Sequence, residues 1–328
     1  MRLGRRSLAT LGAATLAAPK VNAQGVGEWS PTRPIRILVG FPPGQATDTI
    51  ARLLAEKLTE QAGWQVVIEN RPGQGGSLAA AQAAQATPDG HTLLLSATAP
   101  LATNPNLYRN IGYDPARDFA AITLVANLPF ILALAPQVPA NTVPELLALI
   151  RANPGQVTFG TPGNGTTAHL ITAMFARAAG GLDLVHVPYR GSAQILPDML
   201  AGRVQLMFDT AVFIAPHVQA GRLKALAVTT LNRTALMPDL PALSEFGMPG
   251  FDAAAWLGMV APTGTPRPAV ERIAGELHRI VRTPAVAERL GGMGAEVMTN
   301  TPEQFQAHIA SELAKWGRAV RDNNVQLD

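Results

Sequence analysis

Ile35-Arg36-Ile37-Leu38-Val39-Gly40-Phe41-Pro42-Pro43-Gly44-Gln45-Ala46-Thr47-Asp48 joins a strand, a turn and the start of a helix in one short stretch. The apolar run 35–39 reads as a buried strand. Two prolines and Gly44 break it. Residues 47–58 then place Ile50, Leu53, Leu54 and Leu58 on one helical face, and Gly63 stops the helix. Outward from here the unit repeats. Residues 66–68 predict a second strand, 77–85 an alanine-rich helix ended by Pro88-Asp89-Gly90, and 93–95 a third strand. This βαβα order implies a parallel sheet flanked by helices. The theme returns with strands at 130–134, 157–159, 184–187, 204–208 and 226–228, and helices at 143–152, 166–179 and 192–200. Residues 237–250 are turn-rich. The tail is largely helical, around 269–281 and 302–321.

A chain of 328 residues, 47% hydrophobic and 15% charged, is globular and long enough for two domains. The polar block near Asp114 to Asp118 and the Pro/Gly cluster near Met248 to Phe251 suggest the division. One lobe is expected at 33–125 plus 251–328, the other at 126–250. Two crossings make a hinge, and a cleft between lobes is a usual place for a ligand. At the N-terminus, Arg2, Arg5 and Arg6 precede an apolar run, and Val21-Asn22-Ala23 offers a small-x-small cleavage site. That is the anatomy of a secretory leader at 1–23, followed by a linker at 24–32. Arg5-Arg6 hints at the twin-arginine route. The leader carries four basic residues and no acid, so the apparent basicity belongs to it, and the remainder is close to neutral. Nucleic acid is therefore not an expected partner. The chain has no cysteine, which excludes disulfides, a thiolate nucleophile and cysteine-held metals.

Two loops carry the candidate chemistry: Gly40 to Asp48, and Gly160-Thr161-Pro162-Gly163-Asn164-Gly165-Thr166-Thr167. Each follows a strand and opens a helix. Glycine permits close backbone approach, and Thr and Asn supply neutral donors. The helix start adds free N–H groups and roughly half a positive charge. These are the parts of an anion cradle. The plainer reading is that Thr47 or Thr166 merely caps a helix. The second loop also fits Gly163-x-Gly165-x-x-Ala168 with Asp183 downstream, a variant dinucleotide fingerprint. The alternative is thus an exported nicotinamide-dependent oxidoreductase. No Gly-x-Ser-x-Gly turn is present, and His91, His169, His186, His217, His278 and His308 show no tight ligand spacing. No catalytic residue, metal or cofactor is assigned. His169, Asp209, Arg190 and Trp256 are further candidates near the cleft, each with a structural reading beside the functional one.

At these residues the chain resembles the substrate-binding proteins of tripartite tricarboxylate transporters, the Bug family. The likeness runs from Arg33-Pro34-Ile35 through Glu69-Asn70-Arg71-Pro72-Gly73-x-Gly75-Gly76, Gly163-Asn164-Gly165-Thr166 and His186-Val187-Pro188-Tyr189-x-Gly191. It continues to Met207-Phe208-Asp209, Ala261-Pro262-x-Gly264-Thr265-Pro266 and Thr301-Pro302-Glu303. The resemblance implies a periplasmic, type II-like clamshell of two α/β lobes that captures a small carboxylate. It points to Phe41, Gly44, Thr47 and Asp48, with Ala97 and Thr98, in one lobe. In the other it points to Thr161, Asn164, Gly165, Thr166 and Asp209. Pro42, Gln45 and Thr167 complete the candidate set. Gln45 departs from the family, which usually has glycine there. The implied partners are a carboxylate and the transporter's membrane subunits, with a sensory partner as the alternative, and the protein is expected to be a monomer.

Overall fold

The computed structural model describes residues 29–322. The leader expected at 1–23 and most of the linker at 24–32 lie outside them. The chain opens with β1 (Ile35–Val39), α1 (Ala46–Ala62), β2 (Val66–Asn70), α2 (Ser77–Ala84) and β3 (Thr92–Ala97). A π-helical turn (Ala99–Thr103) and α3 (Asn104–Leu107) lead into β4 (Phe119–Leu134). Then come α4 (Val143–Ala152), β5 (Thr158–Thr161), α5 (Thr167–Ala178), β6 (Val185–Pro188), α6 (Ser192–Leu200), β7 (Leu206–Thr210), α7 (Ala211–Gln219) and β8 (Lys224–Val228). The chain closes with β9 (Ala254–Pro262), α8 (Arg267–Val281), α9 (Pro284–Gly292), β10 (Glu296–Val297) and α10 (Pro302–Asp322).

β1 is central because it is apolar on both faces: Ile35, Ile37, Leu38 and Val39 are all fully buried. Its neighbours β2 and β3 run parallel to it. α1 packs Ile50, Leu53, Leu54 and Leu58 inward, and Gly63 closes it at φ +71 with its N–H on Leu58 O.

The strand order β2-β1-β3-β9-β4-β7-β5-β6 runs through both halves of the chain. β4 is the shared element. Its residues 119–129 pair antiparallel with β9, and its residues 130–134 pair with β7 and β8. The exchange of partners falls between Pro129 and Phe130. The chain returns beside that point, where Thr229 N donates to Phe130 O at 3.0 Å and Ala253 N donates to Thr229 O at 2.9 Å.

The sequence reading placed a strand only at 130–134. The observed strand starts at Phe119, and β9 has no counterpart in the sequence pattern. The cause is burial on both faces: every residue of β9 is buried, as are nearly all of β4, so no two-residue alternation marks them. Gly258 in β9 is required by α10, because a Cβ there would lie 2.0 Å from the Phe305 ring.

Candidate functional site

Strand direction picks out the candidate edge. β4 runs in the same sense as β3, since β9 is antiparallel to both, and Ala97 at the end of β3 lies level with Leu257 and, through it, Ala126. On the other side of the exchange, Thr210 at the end of β7 pairs with Phe130, and β5 and β6 run parallel to β7. The carboxyl ends of both strand sets therefore converge on residues 126–130 of β4. Ligands bind outside the carboxyl ends of strands in open α/β sheets. Two open grooves, of about 490 and 690 Å³, lie elsewhere: at the amino edge of β1 and β3, and among α5, residues 247–252 and α10.

The first loop is built around Asp48, which is 2% exposed. Its Oδ2 accepts from Gly44 N at 2.8 Å and Arg52 Nε at 3.0 Å. Its Oδ1 accepts from Asn70 Nδ2 at 2.8 Å, and the same amide reaches Phe41 O at 2.9 Å. Burial pushes the Asp48 carboxyl up, but bonds from Arg52, Gly44 and Asn70 outweigh it and hold it below the usual carboxylate range. Asp48 thus shapes the loop with all its acceptors engaged. Gln45 occupies the N-cap of α1 without a side-chain cap bond. The opening turn of α1 therefore has no side-chain acceptor from Gln45, and Pro42, Pro43, Gly44 and Gln45 line an exposed rim beside it. Phe41 and Ala97 are half-buried, and Thr47 is buried. Thr98 is turned away: its Oγ1 accepts from Trp256 N at 2.8 Å, on β9.

In the second loop, Thr161, Gly165 and Thr166 spend hydrogen bonds within the loop and on its two histidines. Thr161 Oγ1 meets His186 Nε2 at 2.6 Å and donates to Gly163 O at 3.1 Å. Gly165 N donates to His169 Nδ1 at 3.1 Å. Thr166 caps α5, accepting from His169 N at 3.4 Å and donating to Gly163 O at 2.8 Å. The His169 and His186 rings stack 4.1 Å apart, with Phe159 against His186 at 4.7 Å. Burial lowers both histidines, His186 to about 4 with His169 adding to the effect, so both are neutral at pH 7. Asn164 is exposed and Thr167 half-buried. Asp209, one residue before the end of β7, is 6% exposed. Its Oδ1 accepts from Thr210 N at 2.7 Å, while Oδ2 is buried without a partner. Burial raises its carboxyl to about 6, with Ser192 and Thr210 drawing it partly back.

The sequence pattern does not single out Asn70, Gly76 and Asn104 individually as residues that shape the candidate loops, although Asn70 and Gly76 lie in the 69–76 motif. Asn104 Nδ2 donates to Gln74 O at 3.0 Å and to Ser77 Oγ at 2.8 Å, fixing the turn ahead of α2. Trp256 is buried and packs on Phe305 and His308, and Arg190 stays exposed. No cluster of three metal-ligating side chains occurs among the described residues.

Asp48→Asn is expected to lower stability by about 1–3 kcal/mol, because an amide cannot accept from Arg52, Gly44 and Asn70 together. Arg52 is half-exposed, which keeps the ion-pair share small. The Asp48 value is depressed in the fold, so its contribution is present above the unfolded carboxylate range and is lost as pH falls through the folded value. Urea melts of both proteins at pH 7 and pH 3 check this: the gap narrows in acid.

A model of the tripartite tricarboxylate transporter family receptors matches residues 50–325. The periplasmic binding protein BugD is 35% identical over 90% of this chain and 99% of its own, with a TM-score of 0.80. Rpa4515 of R. palustris, solved with adipate, is 34% identical over 90% of this chain and 99% of its own, with a TM-score of 0.83. MatC of Rhodopseudomonas palustris, solved with malate, is 30% identical over 89% of this chain and all of its own, with a TM-score of 0.78. These neighbours have the two-lobed fold of periplasmic binding proteins. With half-sheets exchanging partners on β4 and two strand-end loops facing that exchange, the chain belongs to the tripartite tricarboxylate transporter receptor family, whose members are solute-binding proteins.

Proposed function

We propose that this protein captures a small organic carboxylate between two lobes, 33–125 plus 251–328 and 126–250, and hands it to a tripartite tricarboxylate-type membrane transporter. The single observation that carries the reading is the opening turn of α1, left without a side-chain cap by Gln45 and set at the carboxyl edge of the sheet. A carboxylate there gains helix N–H groups and the positive end of the helix dipole with no cation needed. The neighbours solved with adipate and malate support this ligand class. The partner exchange at Pro129/Phe130 and the return at Thr229/Ala253 support lobes that close about two adjacent crossings. Closure is selected by contacts that both loops make only together. The protein acts as an exported, periplasmic binder, cleaved near Ala23, and performs no chemistry. The oxidoreductase alternative is weakened on two counts. Gly165 N–H is spent on His169, and Asp183 precedes β6, at the edge away from the site.

A thermal-shift screen of the mature protein against aliphatic mono- and dicarboxylates tests the reading. A ligand with Kd on the order of micromolar, held at roughly 100 times Kd, stabilises by about 2.7 kcal/mol. If no carboxylate in the screen shifts the melt, the reading is wrong.

A further inference from the structure

Two histidines from different elements meet beneath the second loop. His186 lies on β6, level with Phe159 of β5, and His169 lies in the first turn of α5. Their rings stack with centroids 4.1 Å apart and planes 17° from parallel, and Phe159 covers His186 at 4.7 Å. Each ring holds one part of the loop. His169 Nδ1 accepts from the N–H of Gly165, a buried residue, at 3.1 Å, so that nitrogen carries no proton. The Thr161 hydroxyl donates to Gly163 O, which leaves its oxygen to accept from His186 Nε2 at 2.6 Å. Both rings therefore carry their proton on Nε2. The ionisable groups on the elements packed here are Arg177 in the last turn of α5, and Asp183 and Arg190 on the flanks of β6, all exposed. Asp209 of β7 lies with Ser192 of α6, on the face where a Cβ at Gly160 would meet Ile195. Among the described residues none of these groups bonds to either ring. Burial lowers the basicity of both, and His169 lowers that of His186 further.

We propose that His169 and His186 are positioning residues of the second loop: while both are neutral they hold residues 161–166 in the shape that meets the carboxylate, and a proton on the pair opens that shape and weakens binding. This rests on the carboxylate-capture reading above. Neither ring needs to touch the ligand. A proton arriving at His169 Nδ1 sets one N–H against another and expels the Gly165 amide. It also puts a cation in the first turn of α5, where the positive end of the helix dipole opposes it. A proton on His186 goes to Nδ1, and with the rings 4.1 Å apart a second charge is held off by the first. Both rings are less basic than a free histidine. The neutral pair therefore persists through neutral pH and is lost only as pH falls below the ordinary histidine range.

The test is titration calorimetry of the mature protein with propionate, succinate, malate and adipate at pH 7.5 and pH 5. His169→Phe keeps the stack without the acceptor and is expected to bind about tenfold more weakly than wild type at pH 7.5. His169→Asn keeps an acceptor near the Nδ1 position and cannot titrate. It is expected to bind more tightly than His169→Phe at pH 7.5, and to lose about threefold less affinity than wild type on going to pH 5. Each probe's own ionisation is common to all the proteins, so the difference isolates the histidine pair. Equal acid losses in wild type and His169→Asn overturn the proposal and leave the capture reading standing. So does a His169→Phe as tight as wild type, or a His169→Asn no better than His169→Phe. Failure of every acid to bind wild type at pH 7.5 defeats the capture reading and the proposal with it. A measurement on ligand-free wild type guards against a folding defect in the variants. Nitrogen NMR is expected to show Nε2–H on both rings at pH 7, and a Gly165 amide that shifts as His169 takes up its proton. A proton on His169 Nδ1 at pH 7, or a Gly165 amide that ignores the titration, also overturns the proposal.

Discussion

Replacing Glu312 with leucine is expected to lower the unfolding free energy by roughly 3–5 kcal/mol. Glu312 lies on α10 and is 6% exposed. Its Oε2 accepts from the indole N–H of Trp256 at 3.0 Å and of Trp316 at 2.9 Å. Its Oε1 pairs with Lys315 Nζ at 2.7 Å. Burial pushes the carboxyl up, but Lys315 and the two indoles outweigh it, so the group is ionised at neutral pH. Trp256 sits on β9 opposite Asn127 of β4, close to the partner exchange. The carboxylate therefore ties α10 to the part of the sheet where the two halves meet. Leucine supplies similar volume but strands two indole donors in an apolar setting, and each buried unpaired donor costs about 1–3 kcal/mol. Lys315 keeps a quarter of its side chain in water and rehydrates, so its loss adds little. Glu312→Gln is the control, because its carbonyl oxygen still accepts from both indoles and its cost is a fraction of that of leucine. Chemical denaturation of the three proteins decides the matter. A leucine variant within 1 kcal/mol of wild type on that scale would mean the carboxylate does not hold α10 in place.

Much of this architecture is written in local patterns. The strand–turn–helix units at β1–α1, β3 and β5–α5 are legible because a buried parallel strand is a short apolar run and its helix repeats every three to four residues. The two glycine-bearing loops are legible because helix starts have a side-chain signature. What is not local is not legible. β4 and β9 are buried on both faces, so they lack the alternation that separates strand from apolar coil, and Pro129 interrupts the run where the partners change. The candidate site shows the same limit. Thr98, Thr161 and Thr166 are sound donors by residue type. Which hydroxyls are already spent on Trp256, His186 and Gly163 depends on contacts that no spacing records. The Asp48–Asn70 bond follows only from the β1–β2 register, which sets Val39 beside Asn70. Gln45 sits where a cap is expected, and only the structure reveals that it makes no cap bond.

Gly40→Val is expected to weaken carboxylate binding by about a hundredfold or more, which is about 2.7 kcal/mol of binding free energy. Gly40 follows β1, and its own backbone is not in the left-handed region, so any residue suits its dihedrals. Space is the constraint. A Cβ at position 40 would lie 2.5 Å from Gly76 Cα and 2.8 Å from Gly76 O. Both are backbone atoms, and Gly76 has no room to retreat: at φ +96, a Cβ on it would lie 2.8 Å from Pro100 Cγ and 3.3 Å from the Phe41 ring. Segments 40–45 and 73–76 are thus packed backbone to backbone along the edge where α1 opens, with the Pro100 ring of 97–103 against Gly76. A branched side chain at 40 must drive one of them outward. The loop carrying Phe41 and Gln45 has the most exposed neighbours and is the one to yield, which carries the opening turn of α1 out of register with the opposite lobe. Gly44→Ala separates crowding from strain. Gly44 has φ +84 and nothing within 4 Å of the added Cβ, so alanine there brings about 1 kcal/mol of backbone strain and no displacement. Calorimetric titration of both variants with a carboxylate that binds wild type gives the comparison. Near-wild-type affinity in Gly40→Val, with folding intact, would place the ligand away from α1 and refute the site described here.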